Sequence, residues 1–172
     1  PSSACINAGA KHGNGFFPTA YSPIPILNPN TGLRNIRTRG GSEALGQRLA
    51  LSEKLSSFFS ARFPDPQVKS YREFYDNTLR LLRSKDLDSF DLNKESSTMR
   101  EHYGTGKFGQ GCLLARRLVE TGVRYVEVST DGWDMHNNLE SEMQDLSPAF
   151  DQAYAALISD LDDRGMLDDT LV

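Results

Sequence analysis

Long apolar runs are missing from this chain. No stretch approaches the roughly 18 consecutive apolar residues of a membrane-spanning helix, so the sequence offers no transmembrane segment. Cysteine is scarce: Cys5 and Cys112 make one pair at most, which is no disulfide framework and fixes neither their redox state nor a compartment. Basic runs interleaved with aromatics are absent as well, which argues against a nucleic-acid partner. Strong net charge is lacking, at −4 over 172 residues, and no repeat or low-complexity tract interrupts the chain. The length suits one domain or a large part of one. The chain opens on Pro1 rather than Met and ends on Asp168-Asp169-Thr170-Leu171-Val172, which reads as a turn and the start of an apolar strand. Both ends are therefore expected to lie inside a larger α/β protein, and the absence of a signal peptide carries no weight.

What is present falls into three stretches. Residues 1–41 are rich in Gly, Pro, Asn and Ser, with turn signals at Asn14-Gly15, Ser22-Pro23, Asn28-Pro29 and Gly40-Gly41. They read as an irregular arm with short strand-like pieces such as 24–27, broken by Pro25. Residues 42–106 read as helical. Leu45, Leu49, Leu55 and Phe59 form one stripe that Pro64 and Pro66 stop, and Val68, Tyr71, Tyr75, Thr78 and Leu82 form a second. The pair predicts an antiparallel helical hairpin. Residues 107–172 alternate between classes. An amphipathic helix over 107–121 carries Phe108, Cys112, Leu114, Ala115, Leu118 and Val119 and ends at Gly122. A strand over 123–128 and a loop to about Ser141 follow. A helix carrying Leu146, Phe150, Ala153, Leu157 and Leu161 comes next, with a start or kink at Ser147-Pro148. Gly165 closes it, and Leu171-Val172 is expected to open another strand. Strands separated by such helices pair in parallel, so the fold class is α/β.

The loop after the 123–128 strand holds the densest polar constellation: Thr130-Asp131-Gly132-Trp133-Asp134-Met135-His136-Asn137-Asn138. In open parallel sheets ligands sit beyond the carboxyl ends of the strands, where this loop begins. Asp134 and His136 offer a carboxylate and an imidazole, a ligand pair for a divalent metal such as Zn, Ca, Mg or Mn. Asn137 or Asn138 can orient a ligand or bind a substrate oxygen, and Trp133 can wall the site or pack beneath it. A two-residue spacing is also common in ordinary loops, so spacing alone leaves both readings open.

Other signals are weaker. Residues 1–62 hold seven Lys/Arg against two Asp/Glu, and the remainder twelve against twenty-one. Arg34, Arg37 and Arg39 cause the asymmetry and read as a solvated loop rather than an anion-facing arm. His12 lies in a glycine-rich loop, and His102 reads as a helix-end residue facing the dipole. Gly104 to Gly109 lacks the spacing of a phosphate loop and follows a helix rather than a strand. Cys112 reads as a small buried hydrophobe, Arg116 and Arg117 as packing and surface charge, and Asp160, Asp162 and Asp163 as a solvated helix face.

The last segment, PAFDQAYAALISDLDDRGMLDDTLV, resembles a recurring passage in sulfatases and their relatives. Upstream, FGQGCLLARRLVETGVRYVEVSTDGWDMHNN resembles an uncharacterised bacterial family of the alkaline phosphatase and sulfatase superfamily, with its G-W-D-x-H-x-N run. DLNKESSTMREHYG and GFFPTAY resemble earlier segments of that family. The resemblance implies an alkaline phosphatase-like core with divalent metal at strand ends and hydrolysis of phosphate or sulfate esters. It implies Asp134 and His136 as metal or substrate contacts. It further implies an exported protein, periplasmic or at the cell surface, acting on a small-molecule or polysaccharide ester. Neither cysteine stands in the C-x-P-x-R nucleophile motif of sulfatases. The nucleophile is therefore expected before Pro1 and a later ligand motif after Val172. A non-catalytic protein that binds anionic polymer or polysaccharide on the same fold is the competing expectation. Substrate, metal and oligomeric state stay open.

Overall fold

The computed structural model describes residues 3–7, 13, 15–17, 21–34, 36, 41–63 and 65–172. Pro1, His12, Asn14, Arg37, Arg39, Gly40 and Pro64, named above, lie outside them. Three strands, β1 (Ser3–Ile6), β2 (Ile24–Ile26) and β3 (Tyr125–Val128), form a parallel sheet in the order β2-β1-β3. Ala4 pairs with Ile24 on one side and with Val126 on the other, so β1 is central. Pro25 sits in β2, an edge strand among the described residues, where its missing N–H is tolerated. Five helices accompany the sheet: α1 (Gly41–Arg62), α2 (Pro66–Arg83), α3 (Ser97–His102), α4 (Lys107–Glu120) and α5 (Leu139–Asp163). The architecture is α/β and mostly helical.

The helix boundaries follow from local chemistry. Asp65 caps α2 by accepting from the Gln67 N–H at 2.7 Å, with Pro66 at the first helical position. Ser96 caps α3 through the Met99 N–H at 3.1 Å, and His102 occupies its last turn as expected. Gly122, at φ 87°, ends α4 as expected, where its N–H reaches the Val119 carbonyl. The α5 helix starts at Leu139, eight residues before Ser147, and runs through Pro148. Pro148 has no N–H for the Gln144 carbonyl. The Ser147 hydroxyl turns back onto the Met143 carbonyl in the same turn.

Helix α4 lies against the sheet and along α5. Leu113, Leu114 and Leu118 are fully buried with Ala4, Ile6, Ile26, Phe90, Tyr103 and Ala153, each leucine contributing about 1.5–3 kcal/mol. Gly111 makes the contact with the sheet possible: a Cβ there would stand 2.8 Å from Val128 Cγ1 and 3.3 Å from Ile6 Cγ2. Gly109 allows an equally close turn, since a Cβ would meet the Tyr103 carbonyl. The Gly104–Gly109 stretch is thus a packing corner between α3 and α4.

Three expectations are corrected. Residues 1–41, read as an irregular arm, supply β2 where the strand-like piece over 24–27 was expected and also β1, which was not expected. Ser3–Ile6 carries one β-branched residue and becomes a strand because both neighbours pair with it, an effect no local pattern announces. Leu171-Val172 does not open a strand. Leu167–Asp169 forms a 3₁₀ turn, and Leu171 is exposed with no ladder partner among the described residues. Thirdly, the stripe chosen on α1 is only half buried: Leu45 and Leu49 are partly buried, but Leu55 and Phe59 are 63% and 50% exposed. Partly buried Ser52, Ser56 and Ser60 continue the inner face, and an Arg72–Glu53 pair at 3.1 Å bridges α1 and α2.

A buried charge lies in the packing around α4. Arg116 is 1% exposed. Its guanidinium reaches Glu95 at 2.8 Å, Glu120 at 2.7 Å and Asp160 Oδ2 at 2.8 Å, the last an ion pair without hydrogen-bond alignment at Nε. Arg164 holds Asp160 Oδ1 at 2.7 Å and Glu120 at 3.0 Å. The Tyr103 hydroxyl donates to Asp160 at 2.8 Å. Arg117 pairs with Glu95 and donates to the Ser89 and Asp88 carbonyls. Asp160, read as part of a solvated face, is therefore buried, and Arg116 is a core residue. The i, i+4 pattern shows which face Asp160 shares but not that a guanidinium waits there.

Burial pushes the Asp160 and Glu95 carboxyls up, but the arginine hydrogen bonds and charges outweigh it and hold both below the usual carboxylate range. Such lowered groups contribute stability above their unfolded value, about 4, and lose it as pH falls through the folded value. Urea unfolding is expected to show a stability that is flat near neutrality and declines below about pH 4. Arg116→Ala removes one of the two arginines that hold buried Asp160 and partly buried Glu95, so the same measurement at neutral pH is expected to show a loss of about 3–5 kcal/mol, the scale for breaking a buried ion pair.

Candidate functional site

All three strands are parallel, so their carboxyl ends share one edge of the sheet. There the Asn7 N–H donates to the Ile26 carbonyl at 2.8 Å and the Ser129 N–H to the Ile6 carbonyl at 2.9 Å. The loop 129–138 leaves β3 from this edge and returns as α5, where sequence reasoning placed the site.

Two contacts tie the start of the loop to α5. Gly132 adopts φ 96°, and a Cβ there would stand 3.2 Å from Leu146 Cδ1. The next residue, Trp133, sets its ring edge-on to Phe150, with centroids 5.4 Å apart and planes at 75°. Phe150 is itself stacked against Phe108 of α4 at 5.3 Å and Tyr154 at 5.8 Å. Trp133 thus packs onto the helix while keeping 38% of its surface exposed. At the far end Asn138 takes a left-handed conformation, φ 52°, and its carbonyl accepts from the Glu142 N–H at 3.1 Å and the Ser141 hydroxyl at 3.0 Å.

Between these ties Asp134 and His136 face each other. His136 Nδ1 stands 3.3 Å from Asp134 Oδ1 and 3.2 Å from the Asp134 carbonyl, while the two side chains are 75% and 94% exposed. The structure thus brings together the two residues named as ligands. Asn137 is exposed, and Asn138 has a definite backbone role in starting the helix.

Donors sharing a tetrahedral ion with bonds of about 2.1 Å stand about 3.4 Å apart. The 3.3 Å separation and the carboxylate–imidazole chemistry fit that requirement. Among the described residues no cluster of three or more His, Cys, Asp or Glu forms around an ion position, and the loop brings two such donors together. Burial pushes the Cys112 thiol up to about 12, and burial together with the Glu127 charge raises Cys5.

Asn7 was missed by sequence reasoning. It ends the central strand at φ 61°, its Nδ2 donates to the Lys107 carbonyl at 3.1 Å, and its Oδ1 is buried without a hydrogen-bond partner among the described residues. The only sequence signal was an Asn after a short apolar run. The aromatic support from Phe108, Phe150 and Tyr154 was also missed, because residues 108 and 150 meet only through tertiary packing.

Among sequence families, one described as Protein of unknown function (DUF1501) matches the chain over residues 1–172. No curated protein and no solved structure matches it.

Gly132→Ala is expected to cost about 1–2 kcal/mol, the penalty of a left-handed L-residue. It should also move the fluorescence of Trp133, the chain's one tryptophan, to longer wavelength as the ring loosens from Phe150. Denaturant unfolding followed by tryptophan emission reads both.

Proposed function

The chain belongs to the DUF1501 family throughout residues 1–172, and from that membership and the strand-end loop we propose that it serves metal-dependent hydrolysis of phosphate or sulfate esters on an alkaline phosphatase-like core. One observation carries the reading. Asp134 and His136 are exposed to solvent and 3.3 Å apart, on a loop that leaves the carboxyl edge of a parallel sheet. The sequence resemblance to the alkaline phosphatase and sulfatase superfamily supplies the reaction class.

In this reading Asp134 Oδ1 and His136 Nδ1 hold a divalent cation. Protons compete with a cation for imidazole and carboxylate donors, so metal affinity is expected to rise with pH. When bound, the cation supplies Lewis acidity toward a phosphoryl or sulfuryl oxygen. The Asn137 and Asn138 amides would donate to ester oxygens. The nucleophile is not assigned to any residue of this chain. Export to the periplasm or cell surface belongs to the same proposal and rests on the resemblance. Among the described residues no helix is long and apolar enough to cross a membrane.

A second reading, non-catalytic binding of polysaccharide, is favoured by the rings of Trp133, Phe150 and Tyr154. They are grouped beside the loop and about two-fifths exposed, and they offer flat apolar faces to sugar rings.

Elemental analysis of the purified protein tests the first reading. Stoichiometric metal is expected in the wild type, with loss in the Asp134→Ala/His136→Ala double variant. Equal metal in both removes this loop from the site. Carbohydrate binding that survives chelation selects the second reading.

A further inference from the structure

We propose that Phe150 is a positioning residue for the Asp134–His136 pair, acting through Trp133; the inference rests on the metal-site reading above. The segment carrying the pair has little else to hold it. Asp134, His136 and Asn137 are exposed, and the contact between the two ligands is internal to the segment. Its placement therefore comes from its ends. At the C-terminal end the chain passes through Asn138 straight into α5. At the N-terminal end the residue adjoining Asp134 is Trp133, whose ring stands edge-on to Phe150.

Phe150 can act as a fixed support because it is held on two sides. Phe108 of α4 and Tyr154, one turn along α5, stack on it with planes inclined at 16° and 8°. Gly132 contributes the turn that brings Trp133 down onto the helix, with Leu146 filling the space a side chain would need. Both ends of a four-residue bridge, 134–137, are thereby fixed to one helix. A bridge so short leaves its two donors little freedom once its ends are set. Loosening one end widens the range of Asp134–His136 separations and makes the ion-holding arrangement less populated, which lowers affinity without removing a ligand.

Calorimetric titration of the full chain with Zn²⁺ and, separately, Ca²⁺ tests this, alongside Trp133 emission. The wild type is expected to bind with a change in emission, since the fluorophore adjoins Asp134. Phe150→Leu should keep the stoichiometry, shift the emission of the free protein to longer wavelength, and weaken Kd about tenfold, the scale for losing a contact that supports a ligand. Phe150→Tyr, which keeps the ring, should restore Kd to within about twofold. Trp133→Ala should weaken Kd as Phe150→Leu does, and the two together no further, because one contact is lost in all three. A purely packing role lowers unfolding stability in these variants without moving Kd. An unchanged Kd in Phe150→Leu and Trp133→Ala, with metal bound by the wild type, overturns the positioning role alone. Additive losses in the double variant overturn it too. Absence of binding by the wild type brings down the metal reading and this inference together.

Discussion

Arg116 is the constraint on which the arrangement of this molecule depends. A guanidinium placed inside a protein loses its hydration, and the loss is tolerable only where carboxylates surround it closely. Here the carboxylates come from separate parts of the chain. Glu95 lies ahead of α3, Glu120 at the end of α4, and Asp160 in the last turns of α5. Tyr103 and Arg164 complete the shell around Asp160. Apolar packing between α4 and α5 tolerates small slides, because dispersion and burial depend weakly on direction. Charged groups 2.7–2.8 Å apart do not, since a shift of an ångström or two leaves a buried charge unpaired. The network thus sets the register of α5 on α4 more narrowly than the surrounding leucines and alanines do.

That register reaches the candidate site through α5. The helix is held near its C-terminal end by Asp160 and Arg164 and nearer its N-terminal end by Phe150 against Phe108. The loop 129–138 is strung between the end of β3 and the start of this helix. The β3 end is itself placed by the ladder to Ile6 and by the close approach of Gly111. Asp134 and His136, both exposed, thus stand on a loop whose two ends are held by the scaffold. This division of labour is common where chemistry is carried on loops: the scaffold contributes rigidity and the loop contributes reactive groups.

Much of this was legible in the chain. Helices α2 and α4 and strand β3 follow from periodicity and capping residues, and their ends fall within a few residues of Asp65, Gly122 and Val128. The α/β class was legible, although the parallel pairing was expected between 123–128 and Leu171-Val172 and is found instead between β1 and its neighbours β2 and β3; the loop with Asp134 and His136 stood out by its density of polar groups. Less legible was β1, whose Ser-Ala-Cys-Ile has little intrinsic strand character. Its residues are extended because two neighbours satisfy their backbone groups. The start of α5 was obscured by Ser147-Pro148, a convincing start signal that the helix runs through. On α1 apolar residues occur on more than one side, so no stripe could be chosen by spacing.

The sequence by itself determined the elements whose signals are local: helix caps, glycine ends, the alternation of helix and strand, and the identity of the groups on the strand-end loop. These depend on residues within one or two turns of each other, where propensity and hydrogen bonding act directly. Tertiary structure alone decided that Asp160 is buried against Arg116, that Trp133 rests on Phe150, and that β1 is the central strand. Each of those depends on partners between 17 and 122 positions away in the chain. At such separations residue type says what a group can pair with, and only the packed fold says which partner it meets.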